Sequence, residues 1–176
     1  AQRAHYDEKL IYLPNSFQPN DDQRGISATQ TTRGTFGLSD DSVVLCCFNN
    51  AFTITPAAWD IWIRVLHDVP DAVLWLAKPN DWAVDNLRRA VKERGVAPDR
   101  LTFADRVAEY GAHLARLRHA DLFLDTFNYN AHTTASDALW AGLPLITKCG
   151  DQFAARVAAS VLCAVGLSDL VTETPE

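Results

Sequence analysis

Short apolar runs alternate with helix-length amphipathic segments from Ser42 onward, which predicts an α/β fold, a doubly wound (Rossmann-like) parallel sheet. The runs are continuous rather than alternating, as expected of strands buried on both faces. Most are followed by a polar loop and then a helix start, the spacing of βαβ units. At 176 residues the chain is long enough for one well-buried domain.

Lys9 to Pro14 reads as a short strand, and Asn15 to Asp41 has a linker-like content of Pro, Gly, Ser, Thr and Gln with no hydrophobic period. Residues 1–41 are therefore expected to be a strand and linker from a preceding domain, and 42–176 the sheet domain. Val43 to Phe48 is the first strand, running into the turn signal Asn49-Asn50. Thr55 and Pro56 open a helix as N-cap and first-turn residues. Its apolar stripe is Trp59, Ile63 and Leu66, widened by Trp62 and Val65, and Pro70 stops it. Ala72 to Ala77 is the second strand. Trp82 to Arg94 is a helix with Leu87 and Val91 inward, ended by Gly95. Arg100 to Ala104 is the third strand, Ala108 to His119 a helix, and Leu122 to Leu124 the fourth strand. A helix from Thr134 to Ala141, a strand from Leu145 to Thr147 and a helix from Phe153 to Val165 complete the pattern. The last helix is striped by Phe153, Val157, Val161 and Val165.

Composition excludes several classes of function. A net charge of -6 argues against a large phosphate-neutralising surface, so no nucleic acid is expected as partner. No apolar run has the length to span a bilayer, so no membrane is expected either. Cys46, Cys47, Cys149 and Cys163 lack CxxC or zinc spacing, and the adjacent pair reads as small core hydrophobes of a reduced, cytoplasmic protein. No paired His ligands, DxD or HExxH occur, so no metal site and no cofactor are expected.

In a doubly wound sheet the ligand lies beyond the carboxyl ends of the strands. Four loops qualify: Asn49 to Thr53, Ala104 to Ala108, Asp125 to Thr134, and Lys148 to Gln152. The third carries the most chemistry. A short apolar run ends in Asp125, and after a polar loop His132-Thr133-Thr134 begin a helix with Asp137 one turn on. A helix start with two hydroxyls and an imidazole suits an anion. Asp137 could accept from a ribose hydroxyl while backbone N–H groups hold a diphosphate. Plain capping by Thr133 or Thr134 accounts for one residue of that cluster only. Asn49, Asn50 and Thr53 read first as turn and capping residues. His113 reads as a surface or satisfied core histidine, and His5, His67 and His119 as bland. Arg156 is placed to reach a loop carbonyl or a phosphate. The five tryptophans, Trp59, Trp62, Trp75, Trp82 and Trp140, fall mostly at core spacing.

These loops also carry a resemblance. Tyr6 to Lys9, Tyr12 to Phe17, Phe48 to Phe52, Val73 to Leu76 and Ala120 to Thr126 are landmarks. Asn130 to Pro144 (NAHTTASDALWAGLP) and Ala155 to Ser160 are the most specific. Together they resemble the O-linked N-acetylglucosamine transferase (SPINDLY-type, TPR-containing) family. They are similar to the C-terminal, nucleotide-sugar-holding half of its two-domain GT-B catalytic unit. The resemblance implies inverting, metal-independent transfer of N-acetylglucosamine from UDP-GlcNAc to Ser or Thr hydroxyls of an acceptor protein. By position it implies that His132, Thr133 and Thr134 hold the diphosphate, Asp137 binds the ribose and Asn50 lies beside the phosphates. Ala108, His113 and Arg116 would line the uridine. Catalytic histidines are expected in the N-terminal catalytic half, with TPR repeats presenting the acceptor, so this chain alone is expected to be inactive. Two departures stand out: Thr53 replaces a family lysine that neutralises the diphosphate, and Tyr110 stands where some relatives have another basic residue of the uridine loop. Two other readings stay open: a degenerate, non-catalytic domain used for protein interaction, and a GT-B enzyme using another nucleotide sugar.

Overall fold

The structure is a computed structural model that describes residues 3–174. Each apolar run is realised as a strand: β1 (Val43–Cys47), β2 (Ala72–Ala77), β3 (Leu101–Ala104), β4 (Leu122–Leu124) and β5 (Leu145–Lys148), followed by a short β6 (Val171–Thr172). They form one sheet in the order β3-β2-β1-β4-β5-β6, with every pairing parallel. Between them lie α1 (Pro56–Asp68), α2 (Asp81–Glu93), α3 (Tyr110–Arg116), α4 (Thr133–Trp140) and α5 (Val157–Ala164). Strand order reverses between β1 and β4, which pair at Leu45–Leu122 and Cys46–Phe123. Right-handed crossovers then put α1 and α2 on one face and α3, α4 and α5 on the other. The loops leaving β1 and β4 therefore meet at the switch point, where such sheets bind ligands.

Burial explains why the runs are continuous. Val44 to Cys47 of the central β1 are all buried, and Trp75, Leu74, Phe123 and Leu145 are sealed in the sheet layers. Trp75 packs at 5.0 Å from the Phe48 ring and 5.3 Å from that of Phe36, which roofs the sheet from the segment before β1. Burial pushes the Cys46 and Cys47 thiols up, so they are inert core groups. Helix starts follow the expected chemistry at Thr55, which accepts from the Ala58 amide beside Pro56, and at Asn80, which accepts from the Ala83 amide. Gly95 ends α2 and Gly142 follows α4, both with positive φ.

Several expectations are corrected. Lys9 to Pro14 forms no strand; among the described residues it pairs with no other segment, and Ile11 and Tyr12 are exposed. The segment from Asn15 to Asp41 docks on the domain instead of hanging free. Arg33 grips both oxygens of Asp121 at 2.8 Å and the Ser42 carbonyl at 2.7 Å, while Thr31 bonds His119 at 2.8 Å. His119 is therefore a buried, partnered residue. The helix read from Ala108 begins later, at Tyr110, because the Glu109 carboxylate caps the Gly111 and Ala112 amides, and it tightens to a 3-10 turn at Leu117–His119. The helix read from Thr134 starts one residue earlier, at Thr133. The last helix is broken: a 3-10 turn at Phe153–Ala155 gives way at Arg156 to α5, leaving Phe153 and Val165 exposed. Trp82 (83% exposed) and Trp140 lie outside the core.

Phe123 is fully buried at the switch point. Phe123→Ala is expected to cost about 3–5 kcal/mol, whereas Trp82→Ala should change stability by less than about 0.5 kcal/mol. Urea denaturation of the two variants measures both.

Candidate functional site

β4 ends at Leu124, and the residue after it, Asp125, is 3% exposed. Its carboxylate accepts from the amides of Thr126 (2.7 Å) and Ala131 (2.6 Å), from Asn49 Nδ2 (3.1 Å) and from Thr147 Oγ1 (2.6 Å). Those groups belong to the β4 loop, the β1 loop and β5, so one buried anion ties together three segments at the carboxyl edge. Asn49 extends the tie. Its Nδ2 also donates to Thr126 Oγ1 at 2.8 Å, and its Oδ1 accepts from Thr134 Oγ1 at 2.5 Å, on the first turn of α4. Burial pushes the Asp125 carboxyl up to about 6, and the groups donating to it pull the other way.

The start of α4 is thereby held in place without being capped. His132 occupies the N-cap without a side-chain capping bond, and among the described residues no side chain bonds to the first-turn amides. Such a terminus presents N–H groups and the positive end of the helix dipole. The His132 ring lies flat against Tyr129, centroids 4.6 Å apart, with Nε2 3.3 Å from the Ala154 carbonyl. Thr133 is exposed, and its hydroxyl accepts from Gln18 Nε2 at 3.1 Å.

One turn on, Asp137 is 3% exposed and heavily engaged. Its Oδ1 accepts from Arg24 Nη1 at 2.6 Å and from the Tyr110 hydroxyl at 2.5 Å, and its Oδ2 lies 3.8 Å from His113 Nε2. Arg116 Nη2 donates to His113 Nδ1 at 2.7 Å, so His113 carries its proton on Nε2, toward Asp137. Burial, and then the Arg116 charge, lower the His113 pKa and keep the ring neutral. Arg116 is itself buried, with Nη1 on the Asp105 carbonyl at 2.6 Å and its guanidinium 4.8 Å from the Phe48 ring. Burial, followed by the bond to Asp137, raises the Tyr110 pKa.

His113, Asp137 and Arg116 form one connected cluster, and Thr134 is linked through Asn49 to Asp125. His132 and Thr133 stand at the same helix start but bond to other partners. Asn50 and Ala108 are exposed on their loops, ahead of α1 and α3. Thr53 is buried and donates its hydroxyl to the Asn50 carbonyl at 2.7 Å, closing a 3-10 turn. Arg156 reaches the Gly150 carbonyl at 3.2 Å, an anchoring contact. The framework role of Asn49 and Asp125, and any role for Arg24, emerge only from the structure. An acid directly after a buried strand was the available signal for Asp125; nothing local marked Arg24. Among the described residues no group of three or more His, Cys, Asp and Glu could hold a metal ion, and no helix is long and apolar enough to cross a membrane.

The model of glycosyl transferase family 41 matches residues 18–176. The chain belongs to that family. A UDP-N-acetylglucosamine–peptide N-acetylglucosaminyltransferase of Caenorhabditis elegans is 39% identical over 148 residues, which is 84% of this chain and 13% of the relative. A probable transferase of the same description from Arabidopsis thaliana (SEC) is 37% identical over 172 residues, 94% of this chain and 18% of the relative. The chain thus spans less than a fifth of the length of these curated relatives. Among solved structures, a mutant Thermobaculum terrenum O-GlcNAc transferase superposes with a TM-score of 0.80 at 31% identity, covering 96% of this chain and 31% of that one. WaaG, a glycosyltransferase involved in lipopolysaccharide biosynthesis, shares the fold at a TM-score of 0.51 and 16% identity. The family 41 fold is thus the Rossmann-like, GT-B type of α/β domain anticipated from the strand pattern.

Asp125 gives this site a measurable signature. Its folded pKa of about 6 lies above its ordinary value of 3.8, so the folded state holds the extra proton. Its contribution to stability is therefore fully present below about pH 4 and is lost as pH rises through about 6. Carbon-13 NMR of the side-chain carboxyl is expected to show a titration midpoint near 6; a midpoint near 4 would mean that the donors outweigh burial.

Proposed function

We propose that this domain holds UDP-GlcNAc as the donor-binding half of a protein O-GlcNAc transferase, with α4 receiving the diphosphate. The uncapped start of α4 at the switch point carries the reading, since among the described residues its first-turn amides have no side-chain partner. Membership of family 41 and the N-acetylglucosaminyltransferase names of the relatives support it. In this reading His132, Thr133 and Thr134 surround the diphosphate with Asn50 beside it, Asp137 takes a ribose hydroxyl, and Ala108, His113 and Arg116 line the uridine. The neutral His113 with its proton on Nε2 suits a base-edge contact, because it donates without adding charge.

The chemistry proposed is an inverting transfer. The acceptor Ser or Thr oxygen forms a bond to the anomeric carbon as the bond to the diphosphate oxygen breaks, and UDP leaves with the electron pair. Negative charge grows on that leaving group, where a preorganised helix terminus stabilises it without a metal ion. The acceptor proton is assigned to a base in the N-terminal catalytic half. The same assignment makes this chain alone inactive in transfer, and TPR repeats would present the acceptor. Localisation in the cytoplasm fits the buried, unpaired thiols of Cys46 and Cys47.

Thr53 favours a second reading, a domain that has lost the sugar donor and serves protein interaction. It supplies no cation where the family resemblance implies a lysine, and its hydroxyl is spent on its own turn. Calorimetry separates the two. Wild type is expected to bind UDP, and Thr53→Lys to bind it roughly 10- to 100-fold more tightly, the range of one added charge-assisted hydrogen bond. Absence of binding at millimolar UDP in both proteins would favour the interaction domain. Competition by GDP equal to that by UDP would instead point to another nucleotide sugar.

A further inference from the structure

Arg24 belongs to a segment that composition marks as linker, yet its side chain is only 9% exposed. The guanidinium is bonded to Asp137 Oδ1 at 2.6 Å. It lies 5.2 Å from the Trp140 ring and 6.0 Å from the Tyr110 ring, and its Nη1 is 2.9 Å from the Tyr110 hydroxyl. The Arg24 carbonyl in turn accepts from Trp140 Nε1 at 3.1 Å. On either side the segment is pinned again. Gln18 bonds Thr133, Phe17 packs edge-on to Phe153 at 4.8 Å, and the Asn15 carbonyl accepts from Ser160 at 3.1 Å. On the other side the Ser27 amide donates to the Gly111 carbonyl at 3.1 Å. Gly111 permits this approach: a Cβ there would meet the Gly25 carbonyl at 3.0 Å. Residues 15–27 therefore form a strap over the start of α4, with Arg24 as its central pin.

We infer that this strap is an intramolecular competitor for the nucleotide, with Arg24 holding the Asp137 carboxylate that a ribose hydroxyl must take. The inference rests on the nucleotide reading above. Asp137 Oδ1 already accepts from two groups, and Oδ2 faces His113. The Gln18 contact likewise occupies Thr133 beside the proposed diphosphate position. A nucleoside that takes both Asp137 Oδ1 and Thr133 must displace Arg24 and Gln18 from them, so in this inference the apparent affinity equals the intrinsic affinity reduced by the fraction of molecules with the strap released.

Two measurements on the full 176-residue chain test the strap. In calorimetry, Arg24→Ala and the longer, uncharged Arg24→Gln are both expected to bind UDP about ten-fold more tightly than wild type, as for a strap docked in about nine molecules of ten. In wild type, trypsin is expected to cut the Arg24–Gly25 bond faster when UDP is added, opposite to the protection that ligand binding gives a fold as a whole. UDP binding that is unchanged or weakened in both variants, with Arg24–Gly25 no more accessible, overturns the strap and leaves the nucleotide reading standing. Absence of UDP binding in wild type and both variants overturns the nucleotide reading, and the strap with it.

Discussion

The Asp125 carboxylate is the constraint on which the site depends. A buried anion is costly unless its lone pairs are filled, and here they are filled by groups from three separate segments. That requirement fixes how far the β1 loop stands from the β4 loop and where β5 ends. Through Asn49 it also fixes the hydroxyl of Thr134, and so the first turn of α4. The site is thus built on two loops tied by one carboxylate to each other and to a strand. Preorganisation of this kind lets a helix terminus stabilise charge without first paying to reorganise.

Around that frame sits a second layer of side chains gathered on Asp137. Arg24, Tyr110, Trp140 and His113 converge on Asp137 from the strap, from α3 and from α4 itself. The fixed layer offers dipoles and hydroxyls, whereas the second layer offers a full cation on a tether. In the absence of a lysine at position 53, the only guanidinium bonded to the α4 acid among the described residues is the one on the strap. The cation at this site is therefore supplied from a segment outside the sheet domain's strands and helices.

Much of this architecture was legible in the chain. Unbroken runs such as Val44 to Cys47 announce strands buried on both faces, and Thr55-Pro56 and Gly95 mark helix ends because capping is local chemistry. His132 to Asp137 were legible as a site because helix start, hydroxyls and acid lie within six positions. What escaped was non-local or too short. β6 is two residues long and has no period to detect. Lys9 to Pro14 has strand-like composition but no neighbouring strand to pair with. The break at Arg156 follows from tertiary bonds to the Gly150 loop, not from a breaker residue. Arg24 meets Asp137 across 113 positions, and Arg33 meets Asp121 across 88, in a segment whose polar composition signals no contact at all.

The central claim is that the α4 terminus, held by Asp125 and Asn49, is where the diphosphate rests. Titrating UDP into nitrogen-15-labelled protein and following backbone amide shifts tests it most directly. The account predicts the largest shifts at Thr133, Thr134 and Ala135, with smaller ones at Asn50 and around His113. Shifts confined to another region of the sheet edge, with those amides unmoved at saturating UDP, would contradict it.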